Sequence, residues 1–241
     1  FSFEDNIKSA IMKVIQSLSQ DIMKRNVEKA LELFDFSPQK TILAMSGGFS
    51  LNCPTNSYLL NTYGFQDFVA PPCINDSGQS LGMALYHFFM NSYKKLNFSL
   101  NNAFYGKEYS LDSAIEKYSN FIIQISDFDE NIAADDIIDN VIVWFEGSSE
   151  IGPRALGHRS IISASTSIKI KDKINSIKKR QPWRPVAPLV LEKYGAEWFD
   201  NFIPSKYMLL TFNIKKNVEN IIKAVSHLDK SARIQTVGDK N

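Results

Sequence analysis

Apolar positions recur at helical spacing from about Phe3 to Leu33: Ile7, Ile11, Val14, Ile15, Leu18, then Ile22, Val27, Ala30 and Leu31. This period predicts one long helix or two in succession, with Glu4 and Asp5 suiting the positive end of the helix dipole. The pattern then breaks into short runs. Thr41–Met45 reads as a short buried strand ended by Ser46-Gly47-Gly48, and Pro54–Leu60 as the start of a helix. Phe68–Ala70 reads as a second strand closed by Pro71-Pro72. Helical spacing returns from Ser80 to about Tyr93, with Leu81, Ala84, Leu85, Phe88 and Phe89 on the inner face.

A polar, turn-rich segment from Lys94 to about Ser110 is the candidate linker. Beyond it, 113–119 and 135–140 are expected to be helical, with a strand at 121–125. Val141-Ile142-Val143-Trp144-Phe145 is β-branched and aromatic with no charge inside it, as in a buried strand. A basic helix is expected over 170–179, a strand over 207–214 and a helix over 218–225. Both halves therefore read as α/β, with no internal repeat.

Composition adds limits. A length of 241 residues suits one large domain or two modest ones. The formal net charge of +1 predicts no broad polyanion-binding field, so strong RNA binding is not expected. Two cysteines make no disulfide framework, which makes a reducing cytoplasm the default location. No apolar run reaches membrane-spanning length, so no membrane partner is expected. The chain opens at Phe1 without an initiator methionine, so a fragment is expected.

Five segments carry candidate chemistry. The Val141–Phe145 strand empties into Glu146-Gly147-Ser148-Ser149-Glu150-Ile151-Gly152-Pro153-Arg154-Ala155-Leu156-Gly157-His158-Arg159-Ser160. Glycines let a backbone approach an anion closely, and arginines supply planar charged forks for phosphate or carboxylate. In Arg180-Gln181-Pro182-Trp183-Arg184-Pro185-Val186-Ala187-Pro188, prolines stiffen the backbone around Arg184; Trp183 either stacks on a base or packs. Lys178 and Lys179 read as a surface charge run. Ser46-Gly47-Gly48 before Asn52 is either a tight strand-to-helix turn or a nucleotide cradle. Asp76 is either a helix cap or a metal ligand, and the cap is favoured by composition. Cys73 reads as a small buried hydrophobe. In 225–237, His227, Asp229, Arg233 and Gln235 alternate in an extended stretch and could share a face. Only three histidines are present, which argues against a multi-histidine metal site within this chain.

Taken in order, SGGFSLNCPTN (46–56), APPCINDSGQSLGMAL (70–85), WFEGSSEIGPRALGHRSI (144–161), RQPWRPVAP (180–188) and HLDKSARIQTV (227–237) resemble the carbamoyltransferases of nodulation and antibiotic biosynthesis. The resemblance implies a partial actin/Hsp70-like (Kae1-like) ATPase subdomain over 1–105, followed by a YrdC-like α/β domain over 106–241. It implies that carbamoyl phosphate and ATP form a carbamoyl-adenylate in the second domain. The carbamoyl group then passes to a small-molecule hydroxyl, on a sugar or natural product, near a bound Fe(2+). On this basis Arg154, Arg159, Arg184 and Arg233 are expected to engage the phosphates and adenylate. Gly47, Gly48, Asn52, Gly152, His158 and Arg180 are expected to border nucleotide or anion, and Asp76 to be the metal-ligand aspartate.

The family's paired-histidine motif does not occur here, and Lys230-Ser231 replaces its usual Gly-Thr. The chain is thus expected to hold the back half of the transferase domain and most of the second. By itself it is expected not to complete carbamoyl transfer to any alcohol. The competing expectation is a non-catalytic module binding nucleotide, or gripping RNA with the basic helix over 169–180.

Overall fold

The computed structural model of the chain describes residues 2–91 and 98–238. Ser2 opens the first helix with a reciprocal box: its hydroxyl accepts from the Asp5 N–H, and the Asp5 carboxylate accepts from the Ser2 N–H. The helix, α1 (Phe3–Leu33), runs unbroken for 31 residues, so one helix forms, not two. Its apolar stripe stays uncovered, with Ile7, Ile11, Val14, Ile15, Leu18 and Ile22 all exposed. Polar contacts anchor it instead. Gln16 exchanges amide hydrogen bonds of 2.9 and 3.2 Å with Asn52 and donates to the Thr55 hydroxyl at 3.0 Å.

Strands β1 (Ile42–Ala44) and β2 (Asp67–Val69) pair in parallel, with Leu43 opposite Phe68. Helix α2 (Cys53–Tyr63) connects them. Asn52 caps α2 by accepting from the Thr55 N–H, Pro54 sits in its first turn, and Gly64 ends it in the left-handed region at φ 65°. Helix α3 (Gln79–Asn91) follows. Its expected inner-face residues Phe88 and Phe89 are exposed. The expected helix end at Tyr93 and the first four residues of the expected linker lie outside the described residues.

The later elements are α4 (Asp112–Lys117), α5 (Glu130–Asp139), β3 (Ile142–Phe145), β4 (Arg159–Ile162), α6 (Ile168–Ile177), β5 (Leu189–Leu191), α7 (Glu192–Trp198), β6 (Thr211–Asn213), β7 (Ser231–Arg233) and β8 (Gln235–Val237). Among the described residues the strands form four two-stranded sheets. Pairs β1–β2 and β5–β8 are parallel; β3–β4 and β6–β7 are antiparallel. Helices mixed with small sheets make this an α/β fold.

Three expectations differ. No strand forms over 121–125: Phe121 closes a 3-10 turn and Ile123 is fully exposed. No helix forms over 218–225. There the N–H groups of Val218, Ile221 and Val225 each bond three residues back, giving successive turns, while Val218, Ile222, Ala224 and Val225 are still buried. The described part of the linker is tied down. Ala103 is buried and its carbonyl accepts from Ile151, while Gly106 donates to the Ser149 carbonyl at 2.8 Å.

The main core joins the two halves of the chain. Leu60 of α2 packs with Phe199, Leu210, Phe212, Val225 and Ile234, and Phe65 and Phe68 lie against them. Polar ties reinforce this seam: the buried Asn56 amide donates to the carbonyls of Ser50 and Leu209, and the Ser57 hydroxyl accepts from the Thr211 N–H. The resulting body holds β6 and β7 against α2.

Candidate functional site

The loop between β3 and β4 is held by its own polar groups. One oxygen of Glu150 accepts from the N–H groups of Leu156, His158 and Arg159 at 2.7, 3.0 and 3.2 Å. Burial raises the Glu150 carboxyl, but backbone N–H donors outweigh it and leave the group below its ordinary value. Gly152, at φ 100°, lies against the Pro72 carbonyl, where an added Cβ would sit 2.2 Å away. Glycine is therefore required there for packing against the Pro72–Cys73 backbone.

Two residues expected at the ligand hold this loop together. The Arg159 guanidinium donates to the carbonyls of Glu146, Gly147 and His158 at 2.6–2.8 Å and stacks 3.6 Å from the Phe145 ring centroid. His158 donates through Nδ1 to the Ser148 carbonyl at 2.7 Å and stacks on Phe104 with centroids 3.5 Å apart. Both side chains are engaged with the loop and its neighbours.

The second loop is organised from below by Asn175, which is 1% exposed in α6. Its amide donates to the carbonyls of Pro182 and Arg184 at 3.1 and 3.0 Å, and its oxygen accepts from Arg180 Nε. Arg180 also donates to the Pro185 carbonyl at 3.2 Å. Arg184 is exposed, with Nε donating to the Gln181 side chain at 2.7 Å, so it stands outside the cavity described next.

Arg154, Arg180 and Arg233 converge on a cavity of about 580 Å³, joined by Lys171 and Lys178. No Asp or Glu is among the residues lining it. The like charges feel one another. Burial lowers the Arg233 guanidinium, and Arg154 and Arg180 push it further down. Burial likewise lowers Lys178, with Arg180 adding to the effect. The Nε–H groups of both Arg154 and Arg233 are buried and lack a hydrogen-bond partner among the described residues. A buried, unpaired donor on a cation is costly unless an anion completes it. This arrangement fits phosphate-type oxygens: planar donors, fixed in advance, with no resident counter-ion.

The strand alternation expected for the last segment is found in part. Arg233 and Gln235 both line the cavity, with the core residue Ile234 between them. His227 and Asp229 do not share that extended stretch. They form a turn closed on Ser231, whose hydroxyl donates to Asp229 and lies 3.1 Å from His227 Nδ1. Cys53 sits beside the cluster: burial raises its thiol, and Arg233 and Arg154 pull it only partly back.

The remaining expected residues lie elsewhere. Gly47, at φ 91°, and Gly48 are exposed at the start of a 3-10 turn, with open space where a Cβ would stand. Asn52 is committed to capping α2 and to Gln16. Asp76 is exposed at the first position of the Asp76–Gly78 turn. Among the described residues no three His, Cys, Asp or Glu come together to hold a metal. The described residues therefore do not by themselves supply a full ligand set for an iron centre. Nor is any helix among them long and apolar enough to cross a membrane. Sequence reasoning missed Glu150 and Asn175. The one available signal was a polar residue, Asn175, set between Ile174 and Ile177 in an amphipathic helix.

Residues 4–85 match the family model for the carbamoyltransferase N-terminus, and residues 134–241 match that for the carbamoyltransferase C-terminus. The chain belongs to the carbamoyltransferase family. The cavity's Arg154, Arg180 and Arg233 all fall in the second matched stretch. Among relatives, nodulation protein NolNO of Sinorhizobium fredii is 35% identical over 205 residues, covering 81% of this chain and 30% of the relative. Nodulation protein NolO of Bradyrhizobium diazoefficiens is 32% identical, covering 92% of this chain and 42% of the relative. The 3'-hydroxymethylcephem-O-carbamoyltransferase of Streptomyces clavuligerus is 32% identical, covering 83% of this chain and 37% of the relative. The chain thus spans less than half the length of these relatives.

Proposed function

We propose that the cavity binds carbamoyl phosphate and ATP and supports formation of a carbamoyl-adenylate, within an enzyme that carbamoylates a small-molecule hydroxyl. The observation that carries this reading is the convergence of Arg154, Arg180 and Arg233, two of them with buried unpaired Nε–H groups, on a cavity without a carboxylate. In mass balance, carbamoyl phosphate, ATP and one water give carbamoyl-adenylate, phosphate and pyrophosphate. Negative charge moves onto the departing phosphate oxygens, so fixed cationic donors assist more than a general base would.

The acceptor class is carried over from a relative whose name specifies O-carbamoylation of a hydroxymethyl group. The same reading assigns 1–105 to an actin/Hsp70-like, Kae1-like subdomain bearing Gly47, Gly48 and Asp76, and 106–241 to a YrdC-like domain. The two matched stretches lie on either side of that boundary. Against an RNA-binding module stands the direction of the basic helix, since Lys171 and Lys178 line the cavity.

Phosphorus NMR of the protein with ATP and carbamoyl phosphate tests the proposal. Pyrophosphate is expected only when both are present, falling at least about tenfold in Arg154→Ala and Arg233→Ala, as when one preorganised donor is lost. Pyrophosphate release that is unaffected by omitting carbamoyl phosphate would contradict it.

A further inference from the structure

The cavity's arginines and lysines can only donate hydrogen bonds. Ser160, Ser163 and Ser165 line it with hydroxyls that donate or accept, and one lining side chain, Gln235, brings an amide carbonyl oxygen that only accepts. Gln235 is 7% exposed, and its orientation follows from chemistry: the Leu156 carbonyl can only accept, so the atom facing it at 2.7 Å is Nε2. Oε1 is turned away from that contact and accepts no hydrogen bond from any described residue. It is also not among the buried side-chain atoms that lack a partner. No Asn, Asp or Glu lines the cavity, which makes Gln235 Oε1 its one side-chain carbonyl acceptor. Its position is rigid: Leu156 follows Arg154 by two residues, and Gln235 follows Arg233 by two, with Ile234 locked in the core between them.

A ligand completing this site needs acceptor atoms for the guanidinium groups and a donor for Gln235. Phosphate and acyl oxygens only accept. A carbamoyl –NH2 donates, whereas the methyl of an acetyl group has similar size and donates nothing. We propose that Gln235 reads the carbamoyl amine and makes the cavity selective for carbamoyl phosphate over other acyl phosphates. This rests on the carbamoyl phosphate reading above. An acetyl group would leave Oε1 facing carbon, the situation that makes polar sites reject analogues lacking a donor.

Calorimetric titration of the whole chain with carbamoyl phosphate, acetyl phosphate and inorganic phosphate tests this. The wild type is expected to prefer carbamoyl phosphate to acetyl phosphate by about tenfold. In Gln235→Met the preference disappears because carbamoyl phosphate alone weakens, while inorganic phosphate binds as before and reports an intact cavity. Gln235→Glu keeps an acceptor oxygen, so all three ligands weaken but the carbamoyl-over-acetyl ratio survives. Equal wild-type affinities for the two acyl phosphates overturn the inference whatever the variants do, as does a preference that persists in Gln235→Met. If the wild type binds none of the three, the underlying reading of the cavity fails. If it binds phosphate without selectivity, only the role of Gln235 fails.

Discussion

Glu150 shows how one side chain stiffens a glycine-rich loop: a single carboxylate oxygen collects the N–H groups of Leu156, His158 and Arg159. Its folded value lies below the ordinary 4.5. In the acid range the unfolded chain therefore binds more protons, so stability rises with pH. The contribution is present above about pH 4.5 and lost as pH falls through the folded value. Glu150→Gln is expected to cost about 1 kcal/mol at neutral pH, a figure discounted because the group is partly exposed to solvent. Urea unfolding from pH 7 to pH 3 should show wild type and variant converging at the acid end; a constant gap would contradict the assignment. At the same scale, Arg159 and Arg154 look alike in the sequence, as two arginines in one motif. Their separation depends on partners: Arg159 spends its donors on three carbonyls, while Arg154 keeps a buried Nε–H unpaired.

Among elements, α6 and the proline-rich loop after it act as a unit because Asn175 bonds to Arg180, Pro182 and Arg184 at once. Asn175→Ala leaves two carbonyls and one guanidinium donor unpaired, with an expected loss of about 2–3 kcal/mol in urea unfolding. A change within about 0.5 kcal/mol, as at ordinary surface sites, would contradict this account. Helical periodicity made α1, α3 and α6 legible, since a 3.6-residue repeat survives without knowledge of the partner. It failed over 218–225, where the buried Val218, Ile222 and Val225 have helical spacing but the backbone turns three residues at a time. The uncharged, β-branched composition of 141–145 likewise misjudged burial in β3: Val143 is exposed because that sheet has only two strands. The candidate site was half legible. Gly, Pro and Arg mark the two loops, but only tertiary structure shows that Arg233 joins Arg154 and Arg180, or that Asn52 is used as a cap.

At the scale of the whole molecule, the core ties α2 to the C-terminal strands, so the two stretches matched to the carbamoyltransferase family share one packed body. That packing fixes the cavity wall, since Arg233 and Gln235 stand on either side of a core residue. Five cations line a cavity free of carboxylates, which we propose takes a phosphorylated carbamoyl donor. The most direct measurement is calorimetric titration of carbamoyl phosphate into wild type and Arg233→Met at low and moderate salt. One binding site is expected, weakening at least about tenfold in the variant and weakening further with added salt, as for a charge-assisted contact. Absence of binding to the wild type, or equal affinity in Arg233→Met, would contradict the account.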